Sequence, residues 1–519
     1  MAAGYVIRKN QYYDSVFLMR VARTLLDEAG VQECAVLMAT DANKERLAEI
    51  GFSSPEVMSA SANDLVIGIL AEESALIDRL LGEMDARLTA RPRSDRSTVY
   101  RSLEDASAAN PRSNLVVITV AGAYAGREAR KALELGKHVF LFSDNVSLEQ
   151  EVELKQLAKT QQRLLMGPGC GTSLIGGIGI GFANRVRRGA VGVVGASGTG
   201  IQEFTSLIHQ AGSGISHAIG TGSHDLLDAV GGITTLMGLD ILEADASTRV
   251  IALISKPSGS KTLATLQERI RNCRKPVVGC LLGLEHTLDC GPDFYQVRTI
   301  DQAVEKALVS LGTSAAEGFL DRIPINPHVA EKELQSWLPQ QRYLRGLFAG
   351  GTFCYQAQQV LQSSGIPVYS NNPLDTRYHL KNPEQSLEHS ILDLGDDYFT
   401  QGKPHPMIDA RERTRRIIKE ADDPEVAIIL LDFILGDISS PDPAGDLSGA
   451  LQQAKAKAAR RGGSLTVVAS ICGTDQDPQN LDRQRSSLEG AGVLVFPSSS
   501  RAAEFCRDLL HEAEGRKNG

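Results

Sequence analysis

A chain of 519 residues, 42% hydrophobic and 23% charged, has an ordinary globular composition and length for roughly three or four domains of about 150 residues each. Its 54 basic and 63 acidic residues leave a net charge of −9, which argues against nucleic acid as a partner and leaves any anionic ligand to be held by local groups. The start carries no apolar signal core and no run of 18 apolar residues occurs, so the expectation is a cytoplasmic protein with no membrane partner.

The first block alternates strands near 6–8, 35–39, 64–69, 114–120, 138–142 and 163–166 with helical stretches such as 15–28 and 126–135. A second block repeats the rhythm, with strands at 191–194, 215–219, 250–254 and 277–282 and helices near 200–211, 225–237 and 261–273. Residues 312–340 lose apolar periodicity and gather Pro and Gly, which predicts a boundary. A third block opens at "RYLRGLFAGGTFCYQAQQVLQSSG" and continues with strands at 391–394, 427–433, 465–470 and 493–496. The fold class predicted is α/β, with tandem doubly wound domains and mainly parallel sheets.

"VGVVGASGTGIQEFTSLIHQAG" reads as a buried strand, a turn of small residues and an amphipathic helix. A strand-to-helix turn of Gly, Ser and Thr suits an anion, because the first helical turn offers unpaired N–H groups and partial positive charge. Ser197 or Thr199 acting as a helix cap explains the same residues. The turn has no Walker A lysine and lacks the dinucleotide G-x-G-x-x-G spacing. The third block opens on the same pattern, however, with Gly350, Gly351 and Thr352 in the corresponding places. Two such turns in tandem domains point to two helix N-termini aimed at one ligand, with Ser197, Gly198, Thr199, Gly350, Gly351 and Thr352 as its phosphate contacts.

Other candidates lie in loops. His224 in "GTGSHDL" suits proton transfer or donation to an oxyanion, or else belongs to a helix cap. In "GKPHPMID" two prolines stiffen a loop carrying Lys403 and His405, which could grip a carboxylate. Asp393, Asp396 and Asp397 precede that loop and could ligate magnesium or orient His405, or form a solvated strand end. Cys170, Gly171 and Thr172 in "GPGCGT", Asp396, and Thr474 in "ICGTDQDPQ" are candidate substrate contacts. Cys170 has no neighbouring base in sequence to lower its pKa, which favours a close-packed role over a nucleophile. The eight cysteines form no C-x-x-C pair, so neither zinc nor a disulfide framework is indicated.

"MGPGCGTSLIGG", "VGASGTGIQE", "IGTGSHDL", "LISKP", "AGGT", "DLGDDYFTQGKPHPMID" and "DPEVAIILLDFILG", in this order, resemble the FdrA family from Tyr5 to beyond Ser500. More distantly, residues 115–320 resemble the α-subunit of succinyl-CoA synthetase and 340–500 the carboxy-terminal domain of its β-subunit. The resemblance implies a CoA-binding-type Rossmann domain over 1–185 and flavodoxin-like domains over 186–325 and 340–515. In that enzyme two such helix N-termini converge on a phosphorylated histidine. Here the ATP-grasp half is missing, the phosphohistidine pattern is replaced by "LEHTLDCGPDF" with His286 in another setting, Lys256 replaces an acidic residue, and the CoA-cradling turn is not evident. The FdrA family includes a subunit of oxamate carbamoyltransferase, which acts with partner proteins to move a carbamoyl group between oxalurate and phosphate, giving carbamoyl phosphate and oxamate. The resemblance thus implies phosphate or carbamoyl phosphate as substrate, partner subunits, and a homo-oligomer. The alternatives are an acid-CoA ligase subunit that takes CoA, and a non-catalytic scaffold.

Overall fold

The computed structural model describes residues 2–13, 15–26, 28–89, 99–256, 258–284, 286–313, 327–401 and 403–518. The core of the boundary expected over 312–340 therefore lies outside the described residues. The chain divides into two compact units, Met1–Ala109 with Thr400–Pro404, and Asn110–Phe399 with His405–Gly519.

In the first unit β1 (Ala2–Arg8), β2 (Val31–Met38) and β3 (Leu65–Ala71) form an antiparallel sheet in the order β1-β3-β2, with Val66 opposite Ile7 on one side and Leu37 on the other. The Ser15–Leu26 helix links β1 to β2 and leaves a gap that β3 fills, the split β-α-β arrangement. Leu18, Val21 and Leu25 of that helix, with Ile77, Leu80 and Met84 of the Ser74–Thr89 helix, bury one face over Leu65, Ile67 and Ile69. Leu47, Phe52 and Val57 close the other face over Ala35 and Val66. The single Rossmann-like domain expected over 1–185 is therefore corrected. Because β3 is covered on both faces, its sequence is a continuous apolar run, the same signature a central parallel strand leaves.

The second unit holds three sheets, and mostly parallel α/β architecture dominates the protein. β4 (Leu115–Ile118), β5 (His138–Leu141) and β6 (Leu165–Met166) are parallel, with the Gly122–Glu134 and Leu148–Thr160 helices between them. The second sheet runs β13-β12-β11-β9-β10-β7-β8. It contains the antiparallel hairpin β7 (Thr172–Ile175) and β8 (Ile178–Gly181), then the parallel strands β9 (Arg188–Gly195), β10 (Ile215–Gly220), β11 (Val250–Ser255), β12 (Val277–Leu281) and β13 (Phe294–Val297). This hairpin, whose residues fall inside the span 1–185 expected as the first domain, completes this sheet instead, because β7 pairs with β10. The helix expected near 225–237 runs over Ile233–Ala244. Gly231 and Gly232 take positive φ, and the Asp225 carboxylate accepts the N–H of Thr234 and Thr235, so the helix starts eight residues later.

The third sheet, order β15-β14-β16-β17-β18, is wholly parallel: β14 (Tyr343–Phe348), β15 (Ser390–Asp393), β16 (Val426–Ile434), β17 (Thr466–Cys472) and β18 (Leu494–Phe496). Both larger sheets have apolar cores on each face. β9 and β14 each feed directly into a helix at their carboxyl edges, Gly198–Gln210 and Gly351–Gln362, and these two helices pack together. Among the described residues no helix is long and apolar enough to cross a membrane.

Candidate functional site at two helix N-termini

The two helix tips meet. Ser197, the N-cap of the Gly198–Gln210 helix, and Thr352, in the first turn of the Gly351–Gln362 helix, are both buried and share a hydroxyl hydrogen bond of 2.7 Å. Glycine is required here by approach rather than by φ. A Cβ at Gly200 would lie 2.2 Å from Ser197 Oγ and 2.9 Å from Thr352 Cγ2, and one at Gly350 would lie 3.1 Å from Thr199 Cβ. Neither helix has a side-chain cap. Among the described residues no acceptor faces the N–H groups of Gly198, Thr199, Gly200, Gly351 or Thr352. Five unmet donors thus gather where two macrodipoles add, the physical requirement for holding an oxyanion.

The surroundings fix this junction. Asp432, within apolar β16, accepts the N–H of Ala349 at 2.9 Å on Oδ1 and of Gly350 at 2.8 Å on Oδ2, and Arg413 donates to the same Oδ1 at 3.0 Å. Burial pushes the Asp432 carboxyl up and holds the Arg413 guanidinium below its ordinary value, while each opposes the other's shift. The pair is therefore a clamp on the loop and not a reagent. Lys256, at the carboxyl end of β11, brings a positive charge to the second tip: its Nζ lies 3.3 Å from where a Cβ on Gly351 would be and 5.7 Å from the Tyr355 ring. Among the described residues it has no hydrogen-bond or ion-pair partner. At the same point Asp393 Oδ2 would be 2.5 Å away. Burial pushes the Asp393 carboxyl up to about 6, with Lys256 opposing and Asp396 adding. Thr221, just after β10, and Ser255, the last residue of β11, are fully buried, and their hydroxyls have no partner among the described residues.

The "GPGCGT" loop wedges beside the first tip. Thr172 Oγ1 donates to the Phe182 carbonyl at 3.0 Å and lies 3.5 Å from where a Cβ on Gly198 would be. Gly171 accepts the N–H of Phe182 at 2.7 Å. Cys170 is buried, its thiol 3.6 Å from the Thr172 carbonyl, and burial pushes it up to about 11. It is a packing residue, as a thiol so far from ionisation is no nucleophile.

His224 follows β10, and its Nδ1 lies 3.2 Å from the buried Glu151 carboxylate. The sequence expectations for His405 and Thr474 are corrected. His405 is a neutral imidazole: burial, with the Arg413 charge, pushes it down to about 4, its Nδ1 accepts the N–H of Met407 at 3.3 Å, and its ring lies tilted against that of Phe182, with centroids 5.7 Å apart. A neutral ring does not grip a carboxylate by charge. Lys403 is exposed and groups with the first unit, and Gly402 lies outside the described residues. Thr474 is fully buried; its hydroxyl donates to the Arg185 carbonyl at 2.7 Å and its N–H is taken by Asp477, so it ties chain segments together and leaves no group for a substrate. Asp396 accepts the N–H of Tyr398 at 3.0 Å, opening a short helical turn. Among the described residues no three His, Cys, Asp or Glu side chains gather in a group that could hold a metal.

Lys256, Asp432 and Glu151 were not among the expected site residues. Their signals were present: a lysine at the carboxyl end of the buried run "VIALIS", an aspartate inside "VAIILLDFI" and an acid within the apolar stripe of a helix, each a charge where apolar residues belong.

Comparison with known proteins fits these elements. Residues 1–134 match the family described as AllF, heavy metal-associated domain, and residues 347–507, which include the second helix tip, match the CoA-ligase family. The chain is 41% identical over 515 residues to the uncharacterized protein YahF of Escherichia coli strain K12, covering 99% of this chain and 100% of that one. The chain belongs to the YahF family. This YahF-family chain is also 25% identical over 233 residues to the succinate–CoA ligase [ADP-forming] α-subunit of Methanothermobacter thermautotrophicus, covering 42% of it and 76% of the relative. Among solved structures it is similar to a dinucleotide-forming acetyl-coenzyme A synthetase 1 from Candidatus Korarchaeum cryptofilum, at 15% identity, 82% and 89% coverage and a TM-score of 0.34. The CoA-ligase character of the YahF-family chain is thus carried by sequence, in the second unit. In the first unit Cys34 is buried and donates to the Ala22 carbonyl.

Proposed function

We propose that this protein is an acid-CoA ligase-type enzyme or subunit that holds the phosphate of an acyl phosphate between the Ser197–Gly200 and Gly350–Thr352 turns and passes the acyl group between phosphate and CoA. The observation that carries the reading is the set of five unmet N–H donors at two abutting helix starts, with the Lys256 ammonium beside them. Two tips of about half a charge each, plus a lysine, favour a phosphate that is gaining charge as the acyl bond to it breaks. The CoA-ligase match over residues 347–507 supports CoA as the acceptor.

A second reading is favoured by one observation. His286, in the loop after β12, is exposed, and its main-chain carbonyl accepts a hydrogen bond from Gln296 Nε2 at 2.8 Å. A site that does not phosphorylate this histidine would exchange the acyl group with free phosphate directly. The FdrA resemblance gives that exchange as carbamoyl transfer between oxalurate and phosphate, with carbamoyl phosphate and oxamate as products.

Titration calorimetry with phosphate, carbamoyl phosphate, CoA and ATP, and phosphate release from acetyl phosphate and from carbamoyl phosphate with and without CoA, test both. Lys256→Gln removes one charged hydrogen-bond donor and should weaken phosphate binding by about tenfold or more. Failure of phosphate and carbamoyl phosphate to bind, with CoA binding intact, would remove the helix tips from the function.

A further inference from the structure

A second set of ionisable side chains gathers around Thr221, whose N–H donates to the carbonyl of Gly195 at 3.1 Å, two residues before Ser197. Lys155, on the Leu148–Thr160 helix, is fully buried; its Nζ donates to the Thr221 carbonyl at 2.8 Å and to Asp225 Oδ1 at 2.6 Å, and stands 3.2 Å from Glu151 Oε1. Asp225 is further engaged by the N–H of Thr234 and by the N–H and hydroxyl of Thr235. Glu151, also fully buried, presents its other oxygen to His224 Nδ1 at 3.2 Å, and the His224 side chain is 52% exposed. Two buried carboxylates against one buried ammonium leave the trio one negative charge from neutrality, a costly imbalance in low dielectric. An imidazolium at His224 cancels it.

We propose that His224 is the proton-transfer residue of the helix-tip site and that Glu151, itself held by Lys155, is the positioning residue that fixes its tautomer. This rests on the acyl-phosphate reading above. A carboxylate at Nδ1 keeps the ring proton there and leaves the Nε2 lone pair on the open side. His224 is four residues beyond Gly220, where a Cβ would lie 2.2 Å from the Thr172 carbonyl, and Thr172 in turn borders Gly198 at the tip. The helix starting at Ile233 is capped by Asp225, so His224 is not needed for capping.

The step balances as follows. Nε2 takes the proton of the attacking thiol, the C–S bond forms as the C–O bond to phosphate breaks, the electron pair of that bond leaves on the phosphate oxygen, and the imidazolium returns the proton to it. The charges acting on the ring come from three elements: Glu151 and Lys155 on the 148–160 helix, Lys256 at the end of β11, and Asp225 beside it, already committed to Lys155. Glu151 raises the imidazole above its ordinary value, while burial and the two lysines oppose.

The test is histidine-selective NMR on the full chain, whose ten histidines are assigned through His224→Gln. His224 should titrate above 6.5 with the Nδ1-protonated tautomer, and Glu151→Gln should lower its midpoint by about one unit or more. Should Glu151→Gln not fold, the wild-type tautomer decides alone, a neutral ring above its midpoint that is protonated at Nε2 and not at Nδ1 overturning the proposal. An unmoved midpoint in Glu151→Gln overturns it too. His224→Gln should cut phosphate release about 100-fold or more while phosphate affinity stays within twofold; unchanged turnover refutes the role of His224. If the wild type turns over no acyl phosphate, the acyl-phosphate reading fails and the proton-transfer role falls with it, while the NMR titration still decides the Glu151–His224 pairing.

Discussion

Asp393 makes the affinity of the helix-tip site for anions depend on pH. Its carboxylate occupies the approach to Gly351, with Oδ2 2.5 Å from where a Cβ there would be, and its carboxyl is pushed up to about 6 by burial. An anion seated at the tip and an ionised Asp393 about 4 Å away would repel by about 4 kcal/mol at an effective dielectric of 20. Protonating Asp393 at pH 8 costs about two pH units, or about 2.7 kcal/mol, which is less. Protonation therefore wins, and binding takes up close to one proton. Apparent affinity should fall by about 50-fold between pH 6 and pH 8, approaching tenfold per unit above pH 7. Sulfate is the right probe, since it does not titrate in this window, and calorimetry in buffers of different ionisation enthalpy counts the proton directly. His405, held down to about 4, stays neutral throughout. Asp393→Asn should bind sulfate at pH 8 as tightly as at pH 6, apart from the smaller contribution of His224. A wild-type affinity that is flat over this range, or a full slope retained in Asp393→Asn, would refute the reasoning.

Three further outcomes are expected. Glu203, buried on the Gly198 helix, accepts the N–H of Ser499 at 2.6 Å, and burial together with the Asp301 carboxylate pushes its carboxyl well up. A carboxyl raised in the folded state costs stability progressively as pH rises from its unfolded value through its folded one, so the melting temperature of Glu203→Gln relative to wild type should be higher at pH 8.5 than at pH 5. Cys170 should resist iodoacetamide until the protein unfolds, and Cys170→Ala should keep anion affinity within twofold, checked by mass spectrometry and calorimetry. Thr474→Val removes the hydroxyl bonded to the Arg185 carbonyl and should lower stability by about 1 to 3 kcal/mol in denaturant melts while sulfate binding at pH 6 is unchanged.

Much of the second unit was legible from periodicity. The runs at 191–194 and 250–254 are apolar throughout, and 427–433 is apolar but for Asp432, because helices cover both faces of a parallel sheet, and the matching small-residue turns at 197–200 and 350–352 marked the two helix starts. The same logic misled at 64–69, since β3 is also covered on both faces yet pairs antiparallel, and burial says nothing of strand direction. His405 looked like a charged ligand because composition names the group but not its protonation. Burial beside Arg413 decides that, and it is a property of the packed chain.

By itself the sequence marked the strand-to-helix turns at 197–200 and 350–352, because these depend on residues a few positions apart, and it left a side-chain cap and an open helix start both standing there. Only the tertiary structure decided that the tips at Ser197 and Thr352 abut, 155 residues apart in sequence. It likewise brought Lys256 and Asp393 to Gly351 and joined Glu151 to His224, 73 residues away. Charge and hydrogen bonding act over a few ångströms of space, and which distant residues share that space is settled by how the sheets and helices pack.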